Sequence, residues 1–454
     1  MGNKWNYLPF TEAVEVNPSV PLKRGKIYPF VDMKAVESSR RGASESESRE
    51  FKSGGARFMP FDTLMARITP CLENGKIARY IPSEGVGGPA FGSTEFIVIR
   101  GREGVTDNDY AYYLTKWEEF RQFAISQMTG SSGRQRVPAD SLAKFLAPAP
   151  ESLSEQRAIA HILGSLDDKI ELNRQMAQTL ESIARAIFKS WFVDFDPVVV
   201  NALRAGNSIP DKFTKRAARY RDNPDELSLS EEIQCQFPDR FQDSELGPIP
   251  ERWEIGPLKQ IASLSTKTIQ PKNDPLKLWV HYSIPAYDDG KMPKTEQGQT
   301  IMSGKYLVPK HAVLASKLNP QFPRVWLPMQ DGIEDSICST EFMPFIPRDS
   351  DERNLLYMFF LSDVAQREIT NRVTGSTGSR QRVRPKDIEQ MNILIPEKRL
   401  RIIYSDLTNG LIGLSLEKQD ESATLANIRD TLLPKLISGE LRIKDFERFL
   451  GKVA

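Results

Sequence analysis

The chain is poor in the side chains that enzymes concentrate at their centres. Its 454 residues include 3 Cys and 3 His, all far apart. Cys71, Cys235 and Cys338 form no CxxC pair, which excludes a disulfide framework and a zinc knuckle. His161, His281 and His311 are equally scattered, which argues against a His-ligated metal centre or a His-based triad. No apolar run approaches the roughly 18–20 residues of a membrane span. The opening Met1-Gly2 lacks the apolar core of a signal peptide, and Asn6 stands where a myristoylation site needs Ser or Thr. A cytoplasmic protein is the expectation. Neither sign of charge dominates, with 61 Lys+Arg against 60 Asp+Glu and a net charge of +1. Near-neutrality leaves nucleic-acid binding open, because a local basic surface can be balanced by acidic segments elsewhere. At 39% hydrophobic and 27% charged residues the composition is that of a globular protein, and the length suggests about three folded units.

Catalytic motifs are missing as well. Gly298 to Gly304-Lys305-Tyr306 has one residue too many for a phosphate-cradling loop and Tyr in place of the hydroxyl. Asn319-Pro320-Gln321-Phe322 has Gln where an amino-methyltransferase motif requires a second Pro, and no glycine-rich cofactor loop accompanies it. Pro210-Asp211-Lys212 lacks the second-strand carboxylate and lysine of a metal-dependent nuclease.

What is present is a repeat. Thr129-Gly-Ser-Ser-Gly-Arg-Gln-Arg-Val137 returns as Thr374-Gly-Ser-Thr-Gly-Ser-Arg-Gln-Arg-Val383, and Ser93-Thr-Glu-Phe96 returns as Ser339-Thr-Glu-Phe342. Trp5 and Trp253 each open a half, and Ala66-Arg-Ile-Thr-Pro70 corresponds to Ala315-Ser-Lys-Leu-Asn-Pro320. Two diverged copies of one unit account for these matches in register. Residues 1–150 and 246–396 are rich in Gly, Pro and aromatics, with strand-length apolar runs such as Glu95–Arg100 and Met391–Pro396, interrupted by helices near 109–128 and 353–372. Each reads as an α+β domain.

Each such domain is followed by a helical segment, at 151–200 and 397–454. Apolar residues at Ile159, Ile162, Leu166, Ile170, Leu180, Ile183 and Ile187 recur at spacings of three and four, as do Ile403, Leu407, Leu411, Leu414, Leu425, Ile428 and Leu432. These narrow seams predict two long helices that pair as an antiparallel coiled coil, giving a pseudo-twofold internal repeat. Polar residues interrupt them at Asn173, Lys418 and Glu421, as local solvation or as selectors of register. Residues 201–245 read as a polar connector, whose basic cluster of Lys212, Lys215, Arg216, Arg219 and Arg221 suits a solvated helix face better than a DNA contact.

The Thr-Gly-Ser segments carry two readings. Small residues let the backbone approach a phosphate, and two Arg flanking a Gln offer donors to phosphates or to purine edges. Equally, the segment makes a tight turn whose Arg residues pair with acidic neighbours or pin the helices.

Together these residues resemble the specificity subunit of type I restriction-modification systems. The supporting strings are Leu153-Ser-Glu-Gln-Arg157, Phe188-Lys-Ser-Trp-Phe-Val-Asp-Phe-Asp-Pro197, Leu246-Gly-Pro-Ile-Pro-Glu-Arg-Trp253 and Leu433-Pro-Lys-Leu-Ile-Ser-Gly-Glu-Leu441, in family order across almost the whole chain. The second copy departs from the Glu-Gln-Arg string, reading Glu397-Lys-Arg-Leu-Arg401. The resemblance implies a non-catalytic subunit with two target-recognition domains, each reading half of a bipartite, asymmetric double-stranded DNA site. It implies that the helices act as a spacer, and that two modification (methyltransferase) subunits dock on them. Restriction (motor-nuclease) subunits can join that core. S-adenosylmethionine belongs to the methyltransferase partner, ATP and Mg to the motor-nuclease, and no cofactor or metal to this chain. A quasi-twofold arrangement would place the readers about one DNA turn, roughly 34 Å, apart on one face of the duplex.

The DNA-contact candidates are Arg67, Thr69, Asn74, Lys76, Ser131, Arg134 and Arg136 in the first copy, and Lys317, Asn319, Arg324, Ser376, Arg380 and Arg382 in the second. The spacer and partner-contact candidates are Gln156, Arg157, Ile159, Leu166, Leu180, Ile187, Leu407, Leu414, Leu425 and Leu432. The alternative is a coiled-coil scaffold with two peptide-binding domains and no DNA specificity.

Overall fold

Runs of apolar residues bounded by turns make the strands, and where a strand is covered on both faces the run is unbroken. Residues 96–99 illustrate this: Phe96 and Val98 enter one core, while Ile97 and Ile99 on the other face enter a second. The computed structural model describes residues 5–131, 133–150, 152–224, 226–227, 229–329, 333–373 and 381–443. The chain divides into two units, one from Met1–Arg174 with Asp420–Ala454, the other Gln175–Gln419.

In the first unit the strands are β1 (Trp5–Pro9), β2 (Val14–Val16), β3 (Ile27–Val31), β4 (Gly42–Ala43), β5 (Glu47–Glu50), β6 (Ala56–Phe58), β7 (Thr63–Ala66), β8 (Ile77–Tyr80), β9 (Ala90–Gly92), β10 (Phe96–Gly101) and β11 (Leu146–Pro150). They form a β1-β11 pair, a sheet β2-β10-β7-β8-β4 and a smaller sheet β5-β3-β9-β6. The helix Asn108–Lys116, capped by the Asp107 carboxylate, packs Tyr110 and Leu114 into the core with Phe10, Ile97 and Ile159.

The second unit contains β12 (Phe241–Gln242), β13 (Ile249–Pro250), β14 (Glu254–Pro257), β15 (Ala262–Leu264), β16 (Thr268–Ile269), β17 (Leu278–Tyr282), β18 (Lys294–Gln297), β19 (Lys305–Leu307), β20 (Val313–Ser316), β21 (Val325–Trp326), β22 (Ser336–Cys338), β23 (Phe342–Pro347) and β24 (Asn392–Ile395). Besides the pairs β12-β13 and β14-β24, its sheets are β15-β23-β20-β21 and β18-β17-β22-β19-β16. The plan of the first unit returns in the two larger sheets and in the pair β14-β24, which corresponds to β1-β11. Phe96 opposes Ala66 as Phe342 opposes Ser316, and the parallel pair β3–β9 returns as β17–β22. The differences are β4, which has no counterpart in the second unit, and β16 and the pair β12-β13, which have none in the first. The expected α+β class with an internal repeat is what the chain adopts.

Two helices are long: Leu153–Phe192 with 40 residues and Lys398–Ser438 with 41. At 1.5 Å per residue each runs about 60 Å. The first belongs to the first unit up to Arg174 and to the second from Gln175, and the second helix changes unit after Gln419. Within each unit the pairing is antiparallel. In the first, Lys169 meets Glu421 at 3.4 Å, Asp167 meets Arg429 at 2.6 Å and Glu155 meets Arg442 at 3.6 Å. In the second, Ser415 donates to the Ala177 carbonyl at 3.2 Å and Tyr404 to that of Ala184 at 2.9 Å.

The pairing face is not the predicted leucine seam. In the second unit it carries Ala177, Ala184, Tyr404, Thr408, Ile412 and Ser415, all buried, whereas the seam candidates Ile183, Leu407 and Leu414 are 44%, 43% and 37% exposed. Small side chains let the two backbones approach closely enough for hydroxyls to reach carbonyls on the partner helix, and the leucines flank that line. Leu166, Leu180, Ile187, Leu425 and Leu432 are half-buried, and Ile159 is fully buried. Asn173 is fully buried too, so solvation does not explain it.

Residues 201–245 are more than a polar connector. The helices Asp196–Ala205 and Thr214–Asp222 and the 3-10 turn Asp211–Phe213 bury Val198, Val199, Phe213 and Ala217 with Trp191, Phe237 and Trp253 in the core of the second unit. Most of their charged residues face outward, while Asp196 is buried. Arg216 is held by Asp194 at 2.9 Å and Asp196 at 2.7 Å, and Arg219 pairs with Glu226.

Candidate nucleic-acid interface

The two repeated motifs meet in space. In the first unit Thr129 and Arg136 bridge antiparallel to close a small hairpin, with Gly130 and Gly133 at positive φ (125° and 80°). Glycine suits such turns because a Cβ is disfavoured there. The hairpin is laid against residues 67–69: Val137 N donates to the Arg67 carbonyl (2.8 Å), Thr69 N to the Gln135 carbonyl (3.0 Å), and Gln135 N to the Thr69 hydroxyl (3.1 Å). Arg67 N donates to the Glu95 carbonyl at 2.9 Å. The Arg136 guanidinium then closes the assembly, with Nη2 2.7 Å from Glu95 Oε1 and Nε 2.9 Å from Oε2.

The second unit repeats the backbone contacts of that strand end and the Arg–Glu pair, but not the Gln135–Thr69 side-chain bond, since Asn319 Oδ1 has no hydrogen-bond partner among the described residues. Val383 N donates to the Lys317 carbonyl (3.1 Å), Asn319 N to the Gln381 carbonyl (2.8 Å) and Lys317 N to the Glu341 carbonyl (2.9 Å). Arg382 grips Glu341 through Nη2 at 2.8 Å and Nε at 3.0 Å. Even the turn before the glutamate matches, Ser93 and Ser339 each accepting at Oγ from the glutamate amide at 3.2 Å. The hydrogen bonds to Glu95 and Glu341 raise the pKa of Arg136 and Arg382, so both stay charged. Here the pairing with acidic neighbours is realised, and Arg67, Thr69 and Arg136 correspond to Lys317, Asn319 and Arg382.

The remaining candidates divide. Ser131 and Arg134 are exposed, and Arg134 has no ion-pair partner among the described residues. Asn74 is exposed in the turn after Pro70, while Lys76 Nζ donates to the Met33 carbonyl at 3.0 Å. Arg324 is held by Asp288 at 2.6 and 2.9 Å and its side chain is 14% exposed. Ser376 and Arg380 lie outside the described residues.

At the helix start, Gln156 is an internal clamp. Fully buried, its amide donates to the Val105 and Pro150 carbonyls, each at 2.9 Å, and accepts from Asp107 N at 2.8 Å. That placement withholds its side chain from a docking partner. Arg157 beside it is exposed, 3.3 Å from Asp107. In the second unit Arg401 takes the place of Gln156: it donates to the Pro396 carbonyl at 3.0 Å and pairs with Glu352. The departure from the Glu-Gln-Arg string is thus a different side chain in the same clamp.

Two groups escaped the sequence reading. Glu95 and Glu341 were legible in principle, since Ser-Thr-Glu-Phe and Arg-Gln-Arg-Val recur with Glu and Arg 41 residues apart in both copies. The second is a charge network that reaches the first long helix, in which largely buried Arg41 pairs with exposed Asp168 at 2.9 Å and Asp109 at 3.5 Å, and buried Arg79 with Asp109 at 2.5 Å. Gly164 makes room for it, as a Cβ there would lie 3.1 Å from Arg41 Nη1. Among the described residues no group of His, Cys, Asp and Glu could hold a metal ion, and no helix is long and apolar enough to cross a membrane.

Residues 68–182 and 250–418 match the family model of the type I restriction modification DNA specificity domain. The HindI type I restriction enzyme specificity subunit of Haemophilus influenzae is 24% identical over 378 residues, 77% of this chain and 81% of that protein. The MjaIX specificity subunit of Methanocaldococcus jannaschii is 23% identical over 354 residues, 76% of this chain and 71% of that protein. A crystal structure of a type I restriction-modification S subunit from M. genitalium aligns over 96% of both chains at 13% identity and a TM-score of 0.48.

Proposed function

The chain belongs to the type I restriction modification DNA specificity family, and on that premise we propose that it is the non-catalytic, sequence-reading subunit of a type I restriction-modification complex. It binds a bipartite, asymmetric DNA site, one half per α+β unit. The observation that carries this reading is the duplicated Arg–Glu brace: two units of similar topology each lock the second Arg of the Arg-Gln-Arg-Val string onto the Glu of Ser-Thr-Glu-Phe. Duplication with divergence suits a protein that makes the same kind of contact twice on two different sequences.

Exposed Arg134 and the braced Arg136 and Arg382 offer donors suited to phosphate oxygens, and Arg67 and Lys317 lie on the strand ends beside them. Such contacts position a protein on the duplex without carrying sequence information. The two long helices supply the spacer. The exposed Leu407, Leu414 and Ile183 on their outer faces are docking positions for modification subunits, of which there are two. Chemistry then resides in the partners. A methyltransferase subunit flips an adenine out of each half-site and methylates it from S-adenosylmethionine, and a motor-nuclease subunit uses ATP and Mg. The test is binding of a purified complex of this chain with its modification subunit to genomic fragments in the presence of competitor DNA. Retention of fragments sharing one two-part sequence supports the reading, and uniform retention at all sequences opposes it.

A further inference from the structure

Two readers built on one plan separate into what they share and where they differ. Chemistry that is identical in both units, such as the Arg136–Glu95 and Arg382–Glu341 brace, cannot distinguish one half-site from the other. An element that reads bases must occupy the same place in both units and carry different donors and acceptors there.

The edge strands β5 and β18 meet that requirement. Ser93 N donates to the Val31 carbonyl at 3.1 Å and Ser339 N to that of Tyr282 at 2.9 Å, which aligns β3 with β17. Across β3, Phe30 opposes Glu47, Tyr28 opposes Arg49 and Ile27 opposes Glu50. Across β17, His281 opposes Lys294, Trp279 opposes Glu296 and Leu278 opposes Gln297. Equivalent positions therefore read Glu-Ser-Arg-Glu in one unit and Lys-Thr-Glu-Gln in the other. The charge is reversed at the first and third positions and lost at the fourth. All four residues of β5 are exposed, as are Lys294, Thr295 and Gln297. Core packing therefore does not account for those exposed differences.

The ribbons share one end. Phe51 N donates to the Lys26 carbonyl at 2.8 Å, and Gly298 N donates to the Lys277 carbonyl at 2.9 Å, so each ribbon starts on a lysine. In the first unit Lys23, Arg24 and Lys52 flank it, exposed and without an ion-pair partner among the described residues. The Arg49 guanidinium lies 3.8 Å from the Phe30 ring centroid and pairs with Glu47, which orients its donors. An antiparallel two-stranded ribbon fits the major groove, where Arg suits guanine, Gln suits adenine and Glu accepts from cytosine.

We infer that the ribbons β3–β5 and β17–β18 are the base-reading elements of the two units, with β5 and β18 turned to the major groove of a DNA half-site and the Glu-braced Arg136 and Arg382 serving as sequence-neutral anchors. This rests on the function proposed above. Methylated adenines are mapped by sequencing in cells expressing the full chain with its modification subunit. Arg49→Ala should lower discrimination roughly ten- to hundredfold at one position of one half-site and leave the other half-site unchanged. Gln297→Ala should do the converse. Arg136→Ala should reduce methylation at every site without altering the motif. If both ribbon variants keep the wild-type motif, or Arg136→Ala relaxes a base, the assignment is overturned. If Arg49→Ala abolishes methylation, Arg49→Lys decides: relaxation of the same half-site supports the assignment, and a wild-type motif overturns it. A wild-type chain that yields no two-part motif overturns the proposed function itself, and this inference with it.

Discussion

Tyr113 and Asp167 meet at 2.7 Å, the tyrosine hydroxyl donating to a carboxylate that also binds Arg429 at 2.6 Å. One buried side chain thus joins the helix of the first α+β domain to both long helices of its unit. The second unit has its own version, Tyr357 donating to Glu181 at 2.6 Å. Rigid attachment of a reader to its spacer helix is what a device measuring a fixed distance between half-sites requires.

Removing Asp167 leaves half-buried Arg429 with Asp430 as its remaining partner and Tyr113 without that acceptor. Asp167→Ala should destabilise the protein by about 3 kcal/mol, and Tyr113→Phe by about 1 kcal/mol, measured by urea unfolding.

Gln156→Ala empties the internal clamp and strands the Val105 and Pro150 carbonyls and the Asp107 amide. A loss of about 2–3 kcal/mol is expected, because buried groups are left unpaired. A change under about 0.5 kcal/mol in the same unfolding experiment would place the residue on the surface, where mutations cost that little.

The pairing face and the outer face of the long helices should respond differently. Ala184→Leu forces bulk against Tyr404 and should cost about 2 kcal/mol. Leu414→Ala, at a position 37% exposed, should change stability by less than about 1 kcal/mol while weakening co-purification with the modification subunit.

Arg134→Ala removes an exposed cation from the hairpin. If it contacts phosphate, the salt dependence of DNA binding should fall by about one unit of slope at unchanged sequence preference. Fluorescence anisotropy over a salt series measures this.

Lys116 donates to the Ser38 carbonyl at 3.1 Å, and burial, with Arg429 and Arg121 nearby, pushes its pKa down to about 8. The folded state therefore releases this proton before the unfolded chain does, whose lysine titrates near 10.4. Between those values the unfolded state holds more protons, so this group's contribution to stability rises with pH from about 8 to about 10.4. Lys116→Met should remove that rise in Tm, read by calorimetry across the window.

Much of the fold was legible because it is written twice: the repeated strings marked equivalent turns, and spacings of three and four marked both long helices. Their contact face was not legible. A scan for Leu and Ile passes over Ala177, Ala184 and Ser415, whose value is that they are small. The folding of residues 201–245 was hidden by their charge, much of which lies on the outside of a turn and helix that bury Phe213 and Ala217. At the candidate site, Arg136 and Arg382 could be named from the motif. The Asp288 that holds Arg324 is 36 residues away with no recurrent string to mark it. The resemblance makes Gln156 a partner contact through the Glu-Gln-Arg string, yet its amide satisfies backbone groups that only the folded domain brings together.

The central claim is that one chain reads two different DNA half-sites for partners that modify them. Its most direct test is the map of methylated adenines in cells expressing the chain with its modification subunit, compared with a chain carrying a four-residue insertion in Ile159–Ile187. The account predicts a two-part asymmetric motif, and in the insertion strain the same two halves at a changed separation. A single contiguous motif, or an unchanged separation, would contradict it.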